Sequence, residues 1–188
     1  MNLKKIAFLI ISSFIIINAY GQNKQVDFGI KGGVNFSTNG GDIGFLFGGF
    51  TEFNFNEKLS LRPELLFSAQ NMDYEFLNEN PEANGPYTGN IKEKSILLPI
   101  TLNYELVNNF QIALGPQFGY TLSQDIENDS DSFSLRADDW DSFEFGITSG
   151  ISYDISDNYG IDIRYTYGIN KRFGFNSSIL QLSFEYKF

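Results

Sequence analysis

From Val26 onward the chain repeats one pattern: about ten residues of alternating apolar and polar side chains, then a turn. In the first segment Phe28, Ile30, Val34 and Phe36 share one face, and Asp27, Lys31 and Asn35 share the other. The second, Ile43 to Phe55, opposes Ile43, Phe45, Phe47, Phe53 and Phe55 to Glu52 and Asn54, with Leu46 and Phe50 as exceptions on the polar side. The third, Leu59 to Gln70, opposes Leu59, Leu61, Leu65 and Phe67 to Ser60, Arg62, Glu64, Ser68 and Gln70. Five more follow: Ser95 to Glu105, Phe110 to Leu122, Phe143 to Ile155, Tyr159 to Asn170 and Leu180 to Phe188. Period-two alternation is the mark of a β-strand with two different faces. Eight such segments, with no helical period between them, predict an all-β domain.

The connections alternate as well. Short links fall at Asn56-Glu57-Lys58, Leu106 to Asn109 and Ser156-Asp157-Asn158. Longer ones are expected at Ser37 to Asp42, Asn71 to Lys94, Gln124 to Ser142 and Lys171 to Ser178. Short turns at one end and long loops at the other are the layout of a bacterial outer-membrane barrel, and strands of this length suit a tilted bilayer crossing. The expected fold is an eight-stranded antiparallel up-and-down transmembrane β-barrel. An even strand count puts both termini at the short-turn, periplasmic end.

Alternation does not say which face is outside. A soluble periplasmic lipid-binding barrel would turn the apolar face inward. Yet an eight-stranded interior is only wide enough to be filled by side chains or to hold one small ligand. The apolar face, rich in Phe, Tyr, Ile and Leu, would overcrowd it. The polar face is lean, with Gly29, Gly33, Gly44, Gly48, Gly115, Gly119, Gly146, Gly150, Gly160 and Gly168 interleaved among charged residues. The polar face is therefore expected inside and the apolar face in lipid. Tyr104, Phe110, Tyr153, Tyr159, Phe55, Tyr186 and Phe188 all fall near the short turns, as an interfacial aromatic girdle would. Pro63, Pro99 and Pro116 lie inside strands, where each removes a ladder donor, so bulges or water-satisfied carbonyls are expected there.

Composition narrows the function. The chain has 188 residues, room for one domain, and a formal charge of −10, the wrong sign for a nucleic-acid binder. Lys4 and Lys5, an apolar run from Ile6 to Ile17 and Ala19-Tyr20-Gly21 form a three-part secretory signal. Cleavage after Gly21 is expected, so residues 1–21 are the signal peptide and 22–188 the barrel, carrying −12 without the two lysines. There is no cysteine and no histidine, which excludes disulfides, thiolate sites, Ser-His-Asp and Cys-His arrangements and HExxH metal motifs. No cofactor is indicated, and a non-enzymatic role is expected.

What remains is the charge on the polar face: Lys31, Glu52, Arg62, Glu64, Glu144, Asp154, Asp162, Arg164, Glu185 and Lys187. Both signs are present, and Arg reaches carboxylates bidentately across a narrow lumen. The expected arrangement is a salt-bridged plug; a selective ion path is the competing one. The third long loop carries seven acidic residues against Arg136. Its spacing Asp125-x-Glu127-x-Asp129-x-Asp131 matches the oxygen-ligand chemistry of Ca²⁺, without the glycine and closing glutamate of an EF-hand.

Five short stretches carry a family resemblance: Gly29-Ile-Lys-Gly-Gly-Val-Asn-Phe36, Leu61-Arg-Pro-Glu-Leu-Leu-Phe67, Leu97-Leu-Pro-Ile-Thr101, Leu114-Gly-Pro-Gln-Phe-Gly119 and the ending Leu182-Ser-Phe-Glu-Tyr-Lys-Phe188. Together they resemble the outer-membrane β-barrel proteins of Bacteroidota, the family that includes the PorT-like barrels, over essentially all of Val26 to Phe188. The resemblance implies an outer-membrane barrel and brings no catalytic residues. PorT is linked with a secretion system, so a secretion-supporting role is one implication. The terminal Phe188 resembles the signal by which barrel assembly machinery recognises its clients. The expected partners are outer-membrane lipid, that machinery, and a surface or secretion partner through the long loops, with the barrel itself a monomer. The reading is thus a structural, surface-interaction or secretion-supporting barrel; the alternatives are a narrow ion or small-solute channel and the soluble lipid-binding barrel.

Overall fold

The computed structural model describes residues 26–38, 40–76, 87–128, 142–172 and 175–188. Eight strands follow in chain order: β1 (Val26–Ser37), β2 (Gly44–Asn54), β3 (Leu59–Phe76), β4 (Tyr87–Val107), β5 (Phe110–Asn128), β6 (Phe143–Asp154), β7 (Tyr159–Arg172) and β8 (Phe175–Lys187). Each pairs antiparallel with the next. β8 closes onto β1 from Gly29 opposite Lys187 to Ser37 opposite Ile179, which makes the sheet a closed barrel. β4 and β5 are joined by Asn108 and Asn109 alone. Asn109 takes the left-handed conformation at φ 70°, which asparagine tolerates better than other non-glycine residues.

The faces divide as the alternation requires. Ile30, Phe47, Leu65, Leu114, Tyr120 and Leu182 point outward and are 46–60% exposed. Lys31, Asn35, Arg62, Glu64, Thr148 and Arg164 point into the lumen and are at most 4% exposed. The soluble lipid-binding alternative fails here, because it needs the apolar face to line the cavity. An apolar surface this continuous belongs against lipid, not water.

Several strands outrun their alternating segments. β3 and β4 continue as a hairpin from Gln70 opposite Glu93 to Phe76 opposite Tyr87, so most of the expected loop Asn71 to Lys94 is strand. β5 continues to Asn128, with Asp125 opposite Lys92. The apolar pattern ends where outward positions become Asn71, Asp73, Lys92 and Lys94. Backbone pairing does not end there, since a ladder above the bilayer needs no lipid-facing side chain. The expected long link between β7 and β8 is also mostly strand: Lys171 pairs with Asn176 and Arg172 with Phe175.

The prolines correct a second expectation. The register shifts lie between Lys94 and Ser95, between Glu105 and Val107, and between Tyr167 and Lys171. None lies at a proline. Instead each proline interrupts pairing with the preceding strand while register is kept. Pro63 pairs with Ile100 on β4, but the β2 ladder lapses between Phe50–Glu64 and Phe53–Leu61. Pro99 pairs with Gln117 on β5, and the β3 ladder lapses between Pro63–Ile100 and Leu66–Leu97. Pro116 pairs with Ile147 on β6, and the β4 ladder lapses between Pro99–Gln117 and Leu102–Leu114. A missing N–H affects only the neighbour it would have faced. The three gaps form a seam that steps across β2 to β5.

Candidate functional site

The luminal positions of β1, β2, β3, β6, β7 and β8 place charged side chains at a common level. Lys31 Nζ lies 2.7 Å from Asp162 Oδ1, 3.2 Å from Glu185 Oε1 and 3.3 Å from Glu64 Oε2. Arg62 donates from Nη1 to both oxygens of Glu185, at 2.8 and 3.1 Å, and from Nη2 to Glu52 Oε2 at 2.8 Å. Arg164 donates from Nη2 to Glu64 Oε1 at 2.7 Å and from Nε to Asp162 Oδ2 at 3.1 Å. Lys187 Nζ sits 3.0 Å from Asp154 Oδ1 and 3.9 Å from Glu52 Oε2, at the more open, turn-side end. Nine of the ten charged residues expected in the lumen thus join one network.

Glu144 is the exception. It faces the lumen and is buried, but it stands six residues from Gly150, the neighbour of Arg164, or about 20 Å along the strand. A luminal carboxylate also lies beyond the ten. Glu93 is 1% exposed and accepts hydrogen bonds from Ser95 Oγ at 2.7 Å, Gln124 Nε2 at 2.9 Å and Gln70 Nε2 at 3.3 Å. It precedes the expected start of its strand; its phase with Ser95 and Leu97 is the signal that would have found it.

Neutral groups complete the lining. Ser60 Oγ donates to Glu52 Oε1 at 2.5 Å, and Asn103 Nδ2 reaches the same oxygen at 3.4 Å. The Arg62 guanidinium lies 4.6 Å from the Phe50 ring centroid, a cation–π contact that explains one apolar exception on the polar face. Phe50 itself occupies the space over Gly29, where any Cβ would collide with its ring. Leu46 belongs with Leu66 and Leu97 to a buried apolar cluster beside the charges, toward the long-strand end. Asn35 Nδ2 donates to Ser68 Oγ at 2.8 Å beyond it.

The network is buried and crowded. The side chains of Lys31, Glu64, Arg62, Asp162, Arg164 and Glu185 are at most 1% exposed. Charges so buried persist only where partnered, and each of these has at least two partners. Four cations and five carboxylates make up the nine. The arrangement can hold the walls together and resist the passage of solute.

The other expected features divide. At the short-turn end Tyr159 lies 5.1 Å from Tyr186, and Tyr186 meets Phe188 edge-on at 5.4 Å. The Phe188 N–H donates to the Phe28 carbonyl at 2.9 Å. Of the candidate calcium ligands, Asp125 is an exposed strand residue opposite Lys92 and Glu127 lies on the same strand. Asp129 and Asp131 lie outside the described residues, as do the signal segment and its cleavage site.

Solved outer-membrane proteins share this architecture. A major outer membrane protein from Thermus thermophilus is 12% identical with a TM-score of 0.54, covering 87% of this chain and 99% of its own. The Yersinia pestis outer membrane protein Ail, in a phospholipid bilayer nanodisc, is 14% identical with a TM-score of 0.51, covering 87% and 100%. OprG of Pseudomonas aeruginosa is 17% identical with a TM-score of 0.50, covering 88% and 97%. At such identities the likeness is one of fold. No curated protein matches the sequence. The model of the outer membrane protein beta-barrel domain matches residues 18–174, through β7, and with the closed barrel and its lipid-facing wall this makes the chain a member of that family, resident in the outer membrane.

Proposed function

We propose that this protein is a non-enzymatic outer-membrane barrel whose lumen is closed by the ion-pair network. Its work is done by its wall and its protruding end. The observation that carries this is the pair Arg164–Glu64, which joins β7 to β3 across the lumen at 2.7 Å with both side chains at most 1% exposed. A path for ions would need that pair to part. The hairpin of β3 and β4, and β5 beside it, extend past the ends of their outer neighbours β2 and β6. They supply a surface for contact outside the bilayer, where binding residues commonly lie. Envelope structure, surface interaction and support of a secretion system all fit this design. The PorT-like and Bacteroidota resemblance favours the last. Delivery follows from the signal segment cut after Gly21, and folding from recognition of Phe188 by barrel assembly machinery.

Planar-bilayer recording of the purified barrel tests the reading. A closed lumen gives no unitary current. Discrete conductance steps that change when Arg164 or Arg62 is replaced would establish the narrow ion channel in its place.

A further inference from the structure

The outward face of β4 changes character at one residue. Tyr104, Leu102, Ile100, Leu98 and Ile96 form an apolar column, and the next outward positions are Lys94 and Lys92, both exposed. Ten residues separate Tyr104 from Lys94. At about 3.3 Å each and a tilt of about 40° they climb about 25 Å, the height of the apolar band in such barrels. Lys94 therefore stands where hydrocarbon gives way to headgroups.

Its neighbours leave the ammonium uncommitted. Opposite Lys94 are Ala69 on β3 and Ser123 on β5, whereas Lys92 stands opposite Asn71 and Asp125. Among the described residues Lys94 makes no hydrogen bond or ion pair. Directly below, Ile96 lies between Phe67 and Tyr120. The register shift at Lys94 and Ser95 leaves Leu122 as the extra residue of β5, with 55% of its surface exposed beside them. Tyr120 is 57% exposed. A lysine stem lies along apolar surface with its head at the interface, and a tyrosine ring belongs at the same level.

We propose that Lys94 docks the phosphate of an anionic outer-leaflet lipid, with Ile96, Tyr120 and Leu122 forming the shelf for its acyl chains. Charge complementarity chooses this occupant. Lys94 is exposed at the headgroup level and unpaired among the described residues, so the phosphate of an anionic headgroup is its complement. The inference rests on the outer-membrane assignment and is independent of whether the lumen conducts, so a current in the bilayer recording leaves it standing.

The test uses the full mature barrel in phosphatidylcholine vesicles of three kinds: containing a phosphorylated lipid A, containing its dephosphorylated form, or containing the phosphorylated lipid A with inorganic phosphate in the buffer. Lipid retained on the extracted barrel is read by native mass spectrometry for the wild type, Lys94→Gln and Lys94→Arg, each first shown to be folded by its heat-dependent mobility. A basic residue near an anionic membrane surface is worth about 1 kcal/mol, about fivefold in binding. Retention of the phosphorylated lipid is expected to fall about fivefold in Lys94→Gln and to persist in Lys94→Arg. Equal retention in Lys94→Gln, equal retention of the dephosphorylated lipid, or displacement of the lipid by inorganic phosphate would each overturn the proposal.

Discussion

Arg164 and Glu64 are 100 residues apart in sequence and 2.7 Å apart in space, on strands β7 and β3, which are opposite walls of an eight-stranded ring. Glu64 also receives Lys31 from β1 at 3.3 Å, so one carboxylate ties three strands together. Lys31 lies opposite Gly48 on β2 and reaches past that strand to β3.

Removal of that carboxylate takes one partner from each of two buried cations, Lys31 and Arg164, and leaves both with Asp162. Breaking a buried pair from one side typically costs about 3–5 kcal/mol, whereas replacing both partners by packed apolar groups is often neutral. Glu64→Gln should therefore lower the stability of the barrel in vesicles by about 3 kcal/mol or more. The double variant Glu64→Leu with Arg164→Met should regain a substantial part. Urea titration followed by gel mobility without boiling measures both. A loss under about 1 kcal/mol for Glu64→Gln would show that the network is not what holds the walls together.

Glycines on the two faces are expected to respond in opposite directions. A Cβ on luminal Gly48 would collide with the Leu65 carbonyl oxygen and come within 2.8 Å of Leu66 Cα, both backbone atoms. Gly48→Ala should cost about 1–3 kcal/mol, the usual range for overpacking. On lipid-facing Gly32 the nearest atom to a Cβ is the Leu46 carbonyl oxygen at 3.9 Å. Gly32→Ala should be neutral or stabilise by about 0.5–1 kcal/mol, through the lower chain entropy of alanine. The same urea titration compares them, and a reversed order would mean that the faces are misassigned.

The residues reveal which face each side chain takes, because alternation survives any choice of partner. Lys31, Arg62 and Arg164 can be placed in the lumen on that basis alone. Who meets whom is another matter. Arg62 finds Glu185 over 123 residues only because the ring closes and its strands are staggered, and neither fact is local. Strand ends are hidden for a related reason. Lys92 and Lys94 break the apolar column, yet the ladder runs on above the bilayer to Tyr87. At the prolines local reasoning foresees the lost donor but not its outcome, since a closed barrel holds register across a gap that an isolated hairpin would relieve by bulging.

Thr101 places a side-chain hydroxyl within the proline seam. Thr101 is fully buried and its Oγ1 donates to the Arg62 carbonyl oxygen at 3.4 Å, beside the lapse between β4 and β5. Thr101→Val keeps the shape and removes the donor. An unmet buried acceptor costs about 1–3 kcal/mol. The bond is long, so a loss of about 1 kcal/mol is expected in the urea titration, and Thr101→Ser should recover most of it. Equal stability of Val and wild type would assign Thr101 to shape filling alone.

Phe188 separates assembly from stability. Its side chain is 74% exposed, and its principal backbone tie is the N–H donated to Phe28, which any residue supplies. Its ring adds one edge-on contact with Tyr186, worth about 0.5–1.5 kcal/mol. Phe188→Ala should therefore lower the stability of the refolded barrel by no more than about 1.5 kcal/mol. If assembly machinery reads the terminal aromatic, the same variant should reach the outer membrane several times more slowly in cells, measured by pulse-chase of the heat-modifiable form. Unchanged delivery would remove Phe188 from the assembly signal. A stability loss well above 1.5 kcal/mol would instead make it a structural closure of the β1–β8 seam.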